Sequence, residues 1–422
     1  MAGNNAIGTY EASTRISAFI GLLQYGDPID GDPRYAKISS NMETIGGILQ
    51  PCAKIYQAEG IPAIARTAAR MYRRYTSGEN ALIISKDGEP GLYSIVDVNF
   101  AEPYISAGGI HVPPLGSSAW SWLQFEYIPD GESEITDVLL GSNAEDGMIA
   151  INFEIGISEE AVTTPYKFGI IARYADRIWG AAIADAPDML CYSAPYDPLN
   201  WESDADIPED GAGEIIQPSW DGDSFTALVP YGGHLLAFKS KSVWQIMGTN
   251  PGVYEFTEQY GGGAPYPKTI AVNESIIYLL GTGGLWAYDG LTVQPFKQEY
   301  MRDIFDRVNW SAADKACACI WDNKYYLSLP LDTATENNAL IIYDTLHGTW
   351  LLRDDVNFSA LLPCELGMLC FSSDIFTGEY YGAYLWEENS WQSEHAAEEC
   401  EWVTPWNDFG YKNYLKYDYE IY

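Results

Sequence analysis

The stretch "WDGDSFTALVPYGGHLLAFKSKSVWQIMGTNPGVYEF", Trp220 to Phe256, decides the fold. Its apolar runs are short, Phe225 to Val229, Leu235 to Lys239 and Val243 to Met247, with Gly-Gly or polar residues between them. Runs of this length bounded by turn residues read as successive strands joined by hairpins. The opening Asp221-Gly222-Asp223 poses a second question, whether it is a ligand site or the turn that starts this unit; we read it as the turn.

The same pattern recurs along the chain. It is found in "ALIISKDGEPGLYSI" from 81, "DVLLGSNAEDGMIAINF" from 137, "RIWGAAIADAPDMLCYS" from 177 and "HLLAFKSKSVWQIMG" from 234. It continues in "SIIYLLGTGGLWAYDG" from 275, "KYYLSLPLDTATENNALIIYD" from 324 and "GMLCFSSDIFTGEYYGAYLW" from 367. Each sets an apolar strand before a polar or glycine-containing turn and a second apolar strand. The later starts lie 49 and 43 residues apart and the first three 56 and 40 apart, and intervals of roughly 40 to 50 residues mark four-stranded propeller blades. "SFTALVPYG" and "KTIAVNE" add further strands, and tails such as "HGTWLLRD" and "ENSWQ" supply outer ones.

The expected fold is therefore all-β, a β-propeller of about six or seven blades with an irregular N-terminal arm. The chain divides into an extended arm over 1–60, the propeller over 61–405 and an aromatic C-terminal strand or tail over 406–422. Two packed β-sandwiches are the competing architecture. Regular hairpin spacing, and strands such as "SIIYLL" and "NALIIYD" that are apolar throughout, favour blades buried on both faces. The early part of "IPAIARTAARMYRRYTSGENALIISKDGEPGLYSI" reads as one short helix, and Arg66, Arg70, Arg73 and Arg74 form the only dense basic cluster, a solvated or intersubunit ion-pair face preferred to an anion site.

Composition narrows the function. The 59 acidic and 23 basic residues of this 422-residue chain give a net charge of −36, a field that opposes docking onto phosphate backbones and anionic membranes. No apolar run reaches the roughly 18 residues that cross a bilayer. The seven cysteines form no Cys-x-x-Cys pair, and "MAGNNAIGTYEASTRISAFIG" reads as no signal peptide, which points to synthesis in a reducing cytosol.

Candidate chemistry is weighed against plainer roles. Glu202, Asp204, Asp206, Glu209, Asp210, Glu214, Asp221 and Asp223 form the strongest acidic cluster, a calcium site or a solvated loop. The EF-hand pattern fails because Glu209 occupies the position of its required glycine. Cys317 and Cys319 share one face of a strand, where buried thiols are the reading preferred over metal ligands. "SKDGEPGLY", "SWDGDSF" and "YDTLHGTW" echo the Asp box of sialidase-like propellers, a bracing turn and not a catalytic element. His111, His234, His347 and His395 lie in dissimilar contexts, and "GTGGLWAYDG" and "YGGGAPY" follow no phosphate-loop or dinucleotide pattern. The aromatic run "PWNDFGYKNYLKYDYEIY" suits an edge strand that closes the ring or pairs with another subunit, and less well a sugar-stacking surface.

From Arg173 to Phe296 the order of features becomes specific: "RIW", then "PDMLCYSAPYDPLNW", "FTALVPYGGHLLAFKSKSVWQIMG", a glycine-rich passage and "GGLWAYDG". This run resembles the β-propeller tail proteins of bacteriophages, in particular those of the tail nozzle and hub type, over about a third of the chain. The resemblance implies a non-enzymatic virion structural protein assembled as a ring around the DNA channel, made in the host cytoplasm and resident in the phage tail. Its roles would lie in DNA ejection and host attachment. It transfers no catalytic, cofactor-binding or metal-binding residues and places Lys239 and Lys241 at a hairpin turn. The implied partners are other copies of the chain and neighbouring tail or head-tail connector proteins, without sequence-specific nucleic-acid binding or a membrane span. The alternative is a receptor-binding or glycan-degrading propeller at the tail tip, with a host surface glycan as its partner.

Overall fold

In the computed structural model, the described residues are 18–24, 31–45, 47–52, 56–57, 67–72, 80–86, 89–96, 99–103, 119–129, 131–152, 156–157, 162–217, 222–354, 356–364, 367–372, 384–386 and 400–405. Among them are seven antiparallel four-stranded units, a seven-bladed β-propeller. Each hairpin read from the sequence is the second and third strand of one blade. In blade 4, for example, Phe225–Tyr231, His234–Lys239, Val243–Met247 and Glu255–Gly261 run from the centre outward. Blades 2, 3, 5 and 6 start at Ser121, Ile170, Ala271 and Cys317, and each takes its four strands in sequence order.

Blade 7 is built differently. Its strands Phe358–Cys364, Gly367–Ser372 and Tyr384–Trp386 take their outer partner from Tyr56–Gln57, with Tyr384 opposite Gln57 and Leu385 opposite Tyr56. The last blade is thus completed from before the first, and the innermost strands of blades 7 and 1 lie against each other. The outer place expected of "ENSWQ", which lies outside the described residues, is held by this N-terminal strand.

The short helix expected in the stretch that begins "IPAIARTAARMYRRY" is corrected over Thr67–Tyr72, while 61–66 lie outside the described residues. Thr67–Tyr72 is the innermost strand of blade 1, in register with Asn80–Ser85. Local Ala and Arg preference for helix is worth only tenths of a kcal/mol per residue, and sheet pairing overrides it.

Continuously apolar strands follow from the geometry, because successive side chains point to opposite faces and each face meets a neighbouring blade. In "HLLAFK", Leu235 and Ala237 join the core shared with blade 3, with Trp179 and Leu190. Leu236 and Phe238 join the core shared with blade 5, with Ile277, Leu279 and Tyr288. Blade 6 repeats this, with Tyr325 and Leu327 facing blade 5 and Tyr326 facing Met368 and Cys370 of blade 7.

The stretch expected as an extended arm folds back onto blade 6 where it is described. Leu22 and Ala36 enter the same core as Trp350 and Leu352 of that blade's outer strand, and Asn41 accepts and donates hydrogen bonds at Asp354. Ile38–Ser40 also pairs with Glu401–Val403 as a separate two-stranded sheet.

Blades 4 and 5 are fused. Their outer strands pair in parallel, Tyr260 with Thr292 and Gly261 with Val293. At Gly261 φ is +109° and an added Cβ would lie 1.8 Å from the Val293 carbonyl oxygen, so the seam accepts only glycine there. Gly261→Ala is expected to lower unfolding free energy by about 2 kcal/mol or more, measured by urea denaturation; unchanged stability would show that the seam contributes nothing.

Candidate functional site

The Asp-Gly-Asp opening is resolved by its second carboxylate, since Asp221 itself lies outside the described residues. Asp223 accepts a short hydrogen bond from the Ser240 hydroxyl and a 3.0 Å bond from the Lys241 backbone N–H. It therefore fastens the second hairpin turn of blade 4. Other carboxylates close the outer hairpins of blades 5 and 6 from within their own turns. Asp289 Oδ1 accepts from the Leu291 and Thr292 N–H groups, both at 3.0 Å. Asp344 Oδ1 accepts from Leu346 and His347, both at 2.9 Å. The last of these turns lies in "YDTLHGTW", one of the Asp-box echoes, and is a side-chain-closed turn of the kind Asp favours.

The acidic cluster is an exposed loop. Asp204 Oδ1 accepts from the Asp206 and Ile207 N–H groups at 2.8 and 2.9 Å, and these donors, Ile207 first, hold its carboxyl below the ordinary value. Among the described residues no three His, Cys, Asp or Glu side chains converge as a metal site would require.

What anchors this loop is a cation. Arg177, 1% exposed on the second strand of blade 3, donates through Nη1 to the carbonyls of Ser193 and Gly211, each at 2.7 Å. Its Nη2 donates to the Glu209 carbonyl, and its guanidinium lies 5.2 Å from the Tyr192 ring centroid. A five-donor planar fork suits several carbonyls at once, which an ammonium does not match.

Lys239 departs from the expected turn position: it ends a strand and is fully buried. Its Nζ pairs with Asp188 Oδ1 at 2.6 Å, donates to the Gln217 carbonyl at 3.0 Å and sits 4.6 Å over the Phe225 ring. Arg177 and Lys239 each tie a loop to a blade. The readable signal was a charge ending or opening an otherwise apolar strand, "LLAFK" and "RIW".

Cys317 and Cys319 lie buried on one face as expected, with Cys319 Sγ 3.3 Å from Met368 Sδ. Burial pushes the Cys317 thiol up to about 12 and the Cys319 thiol higher. His347 is exposed, with Nδ1 2.8 Å from Asp344 Oδ2, and His234 opens the second strand of blade 4. His111, His395, Arg66, Arg73, Arg74 and the aromatic tail over 406–422 lie outside the described residues, as does the Arg70 side chain.

An open cleft of about 470 Å³ lies between Asp146–Met148 and Val162–Lys167. In it Lys167 Nζ donates to the Glu145 carbonyl and Asp146 accepts from Asn143. A smaller one, about 190 Å³, lies between blades 4 and 5 beside Lys241, Gly262 and Trp286.

No protein-family model matches the chain, and no curated protein matches it. Among solved structures it is similar to the Cps50 (Swd1) β-propeller domain of Myceliophteria thermophila, at 11% identity and TM-score 0.47, covering 79% of this chain and 98% of that one. It is also similar to the Pan2 WD40 domain of Neurospora crassa, at 10% identity and TM-score 0.42, covering 74% and 86%. BamB of Moraxella catarrhalis is similar at 8% identity and TM-score 0.41, covering 81% and 100%. These likenesses carry no functional inference; sheet order and register establish the propeller.

Replacing Arg177 with Met removes the donors of three loop carbonyls, and urea denaturation should show a loss of about 3 kcal/mol; a stability unchanged within error would remove its anchoring role. At pH 8, iodoacetamide should label Cys400, which is exposed, and spare Cys52, Cys191, Cys317, Cys319 and Cys370. The raised thiols also set a pH trend. They ionise near 8.5 in the unfolded chain, while burial holds Cys191 and Cys317 up to about 12 in the fold. Above the unfolded value the unfolded state binds fewer protons, so stability falls as pH rises toward 12. Urea midpoints should drop between pH 8 and pH 10, less steeply in Cys317→Ala.

Proposed function

We propose that this chain is a structural propeller of a larger assembly, and that the assembly is a bacteriophage tail, where it forms a nozzle, hub or adjoining ring. The observation that carries the reading is the use made of the resembling segment, Arg173 to Phe296. Its polar residues brace blades 3 to 5: Arg177 anchors the loop over 202–212, Lys239 joins blade 4 to Asp188, and Asp223 fastens a hairpin.

Within the "PYDPLNW" portion, Asp197 Oδ1 accepts the Leu199 N–H at 3.0 Å and Trp201 packs on Phe168 with ring centroids 4.9 Å apart. This segment thus seals the interface of blades 2 and 3. A motif used for bracing is what a structural family would retain. The net charge of −36 further supports a wall past which DNA moves without capture.

Electron microscopy of the purified chain and of immunogold-labelled virions tests the reading. Ring-shaped oligomers and label on the tail are expected. A permanent monomer absent from purified virions would overturn it.

A further inference from the structure

In an antiparallel blade, the turns between strands one and two and between strands three and four lie at one end, and all other connections lie at the opposite end. Hydrogen bonds stitch the first set across the ring. Tyr196 N donates to Asp176 O, Tyr174 Oη to Gly248 O and Tyr231 Oη to Ser275 O. Asn273 Nδ2 donates to Thr345 Oγ1, joining blades 5 and 6. This hairpin face therefore runs continuously from blade 3 to blade 6, and the Arg173–Glu126 pair at 2.7 Å extends it to blade 2.

The two faces differ in kind. Single exposed apolar residues are ordinary on protein surfaces. Among the described residues, however, every exposed large apolar side chain located in a turn lies on the hairpin face: Ile128 and Ile135 in blade 2, Tyr196 and Ile207 in blade 3, Val253 in blade 4, and Leu291 and Leu346 in blades 5 and 6. Leu291 and Leu346 occupy equivalent places, two residues after Asp289 and Asp344, and are 72% and 71% exposed. The Asp side chain closes the turn beneath each and holds the leucine outward.

Charge follows the same division. Among the described residues the hairpin-face turns carry Glu132, Glu134, Glu202, Asp206, Glu274 and Asp322, against the buried Arg177, Arg173 paired with Glu126, Lys324 at 3.7 Å from Asp322, and Lys297, whose Nζ reaches the Gly348 turn. The opposite face mixes its acids with Lys167, Lys241, Lys268, Arg307 and Lys315.

We infer that the hairpin face is a docking surface for a cationic protein partner, one that presents Lys or Arg side chains among aliphatic ones. Aliphatic tips set in an acidic field are complementary to such a surface in both respects. A second copy meeting face to face would bring like charges together, and an anionic bilayer would be repelled by the same field. The inference stands apart from any placement in a virion, because it uses only the exposure and charge of this face.

The test is fluorescence anisotropy with a labelled amphipathic peptide of lysine and leucine, beside a peptide with serine in place of each leucine. The lysine–leucine peptide is expected to bind, more weakly as salt rises, and the serine peptide at least about tenfold more weakly. The double variant Leu291→Ser with Leu346→Ser, and the charge variant Glu202→Gln with Asp206→Asn, should each weaken binding. Glu145→Gln with Asp185→Asn, on the opposite face, should leave it unchanged, with circular dichroism melts confirming that all variants fold. Binding that is absent, indifferent to the leucines, or equally sensitive to the opposite-face pair overturns the proposal. So does cosedimentation with phosphatidylglycerol vesicles, or self-association in ultracentrifugation that the leucine variant abolishes.

Discussion

The pairing of Tyr56–Gln57 with Tyr384–Leu385 is the constraint on which the rest of the molecule depends. A four-stranded blade buries both faces only if it has neighbours on each side, so no blade is complete until the ring is. Here the outer strand of the last blade comes from the other end of the sequence, and the inner strands of blades 7 and 1 meet. The apolar strands and the inter-blade cores presuppose that closure. Folding must then wait for a contact between distant parts of the chain, a topology that favours slow acquisition of the native state.

Much of this was legible where the information is local. Each of the hairpins read from "ALIISKDGEPGLYSI" to "GMLCFSSDIFTGEYYGAYLW" is a pair of adjacent strands, because alternate burial toward two blades leaves a dense apolar signature that Gly, Asn and Asp turns interrupt. Blade number was harder to count, since the long loop over 193–212 and the helical connection over 296–316 stretch the interval between hairpins. The innermost strand of blade 1 was missed because "TAARMY" has the local preferences of a helix. No local pattern announces that Tyr56–Gln57 will pair with residues far along the chain.

The candidate site divides in the same way. Asp223 and Asp344 act within a turn or one hairpin away, so the readings of Asp221-Gly222-Asp223 and "YDTLHGTW" as turns needed only local pattern, and Asp289, of the same kind, was within reach of it. Arg177 and Lys239 act across loops: their acceptors at Gly211 and Gln217 are carbonyls whose approach depends on the folded path of the backbone. The charge asymmetry between the two ends of the propeller was hidden for a related reason. Consecutive turns alternate between faces, so a linear reading averages the acidic turns with the mixed ones.

The parallel seam between blades 4 and 5 has a mechanical meaning. Elsewhere among the described residues adjacent blades are held by side-chain packing and by single hydrogen bonds such as Tyr174 Oη to Gly248 O and Phe225 N to Pro187 O. Between Tyr260–Gly261 and Thr292–Val293 the backbone itself is bonded, so these two blades move as one rigid sector. Any breathing of the ring is easiest away from that sector, at joints without sheet pairing. The glycines of "YGGGAPY" thus make one side of the ring a fixed frame and leave compliance to the others.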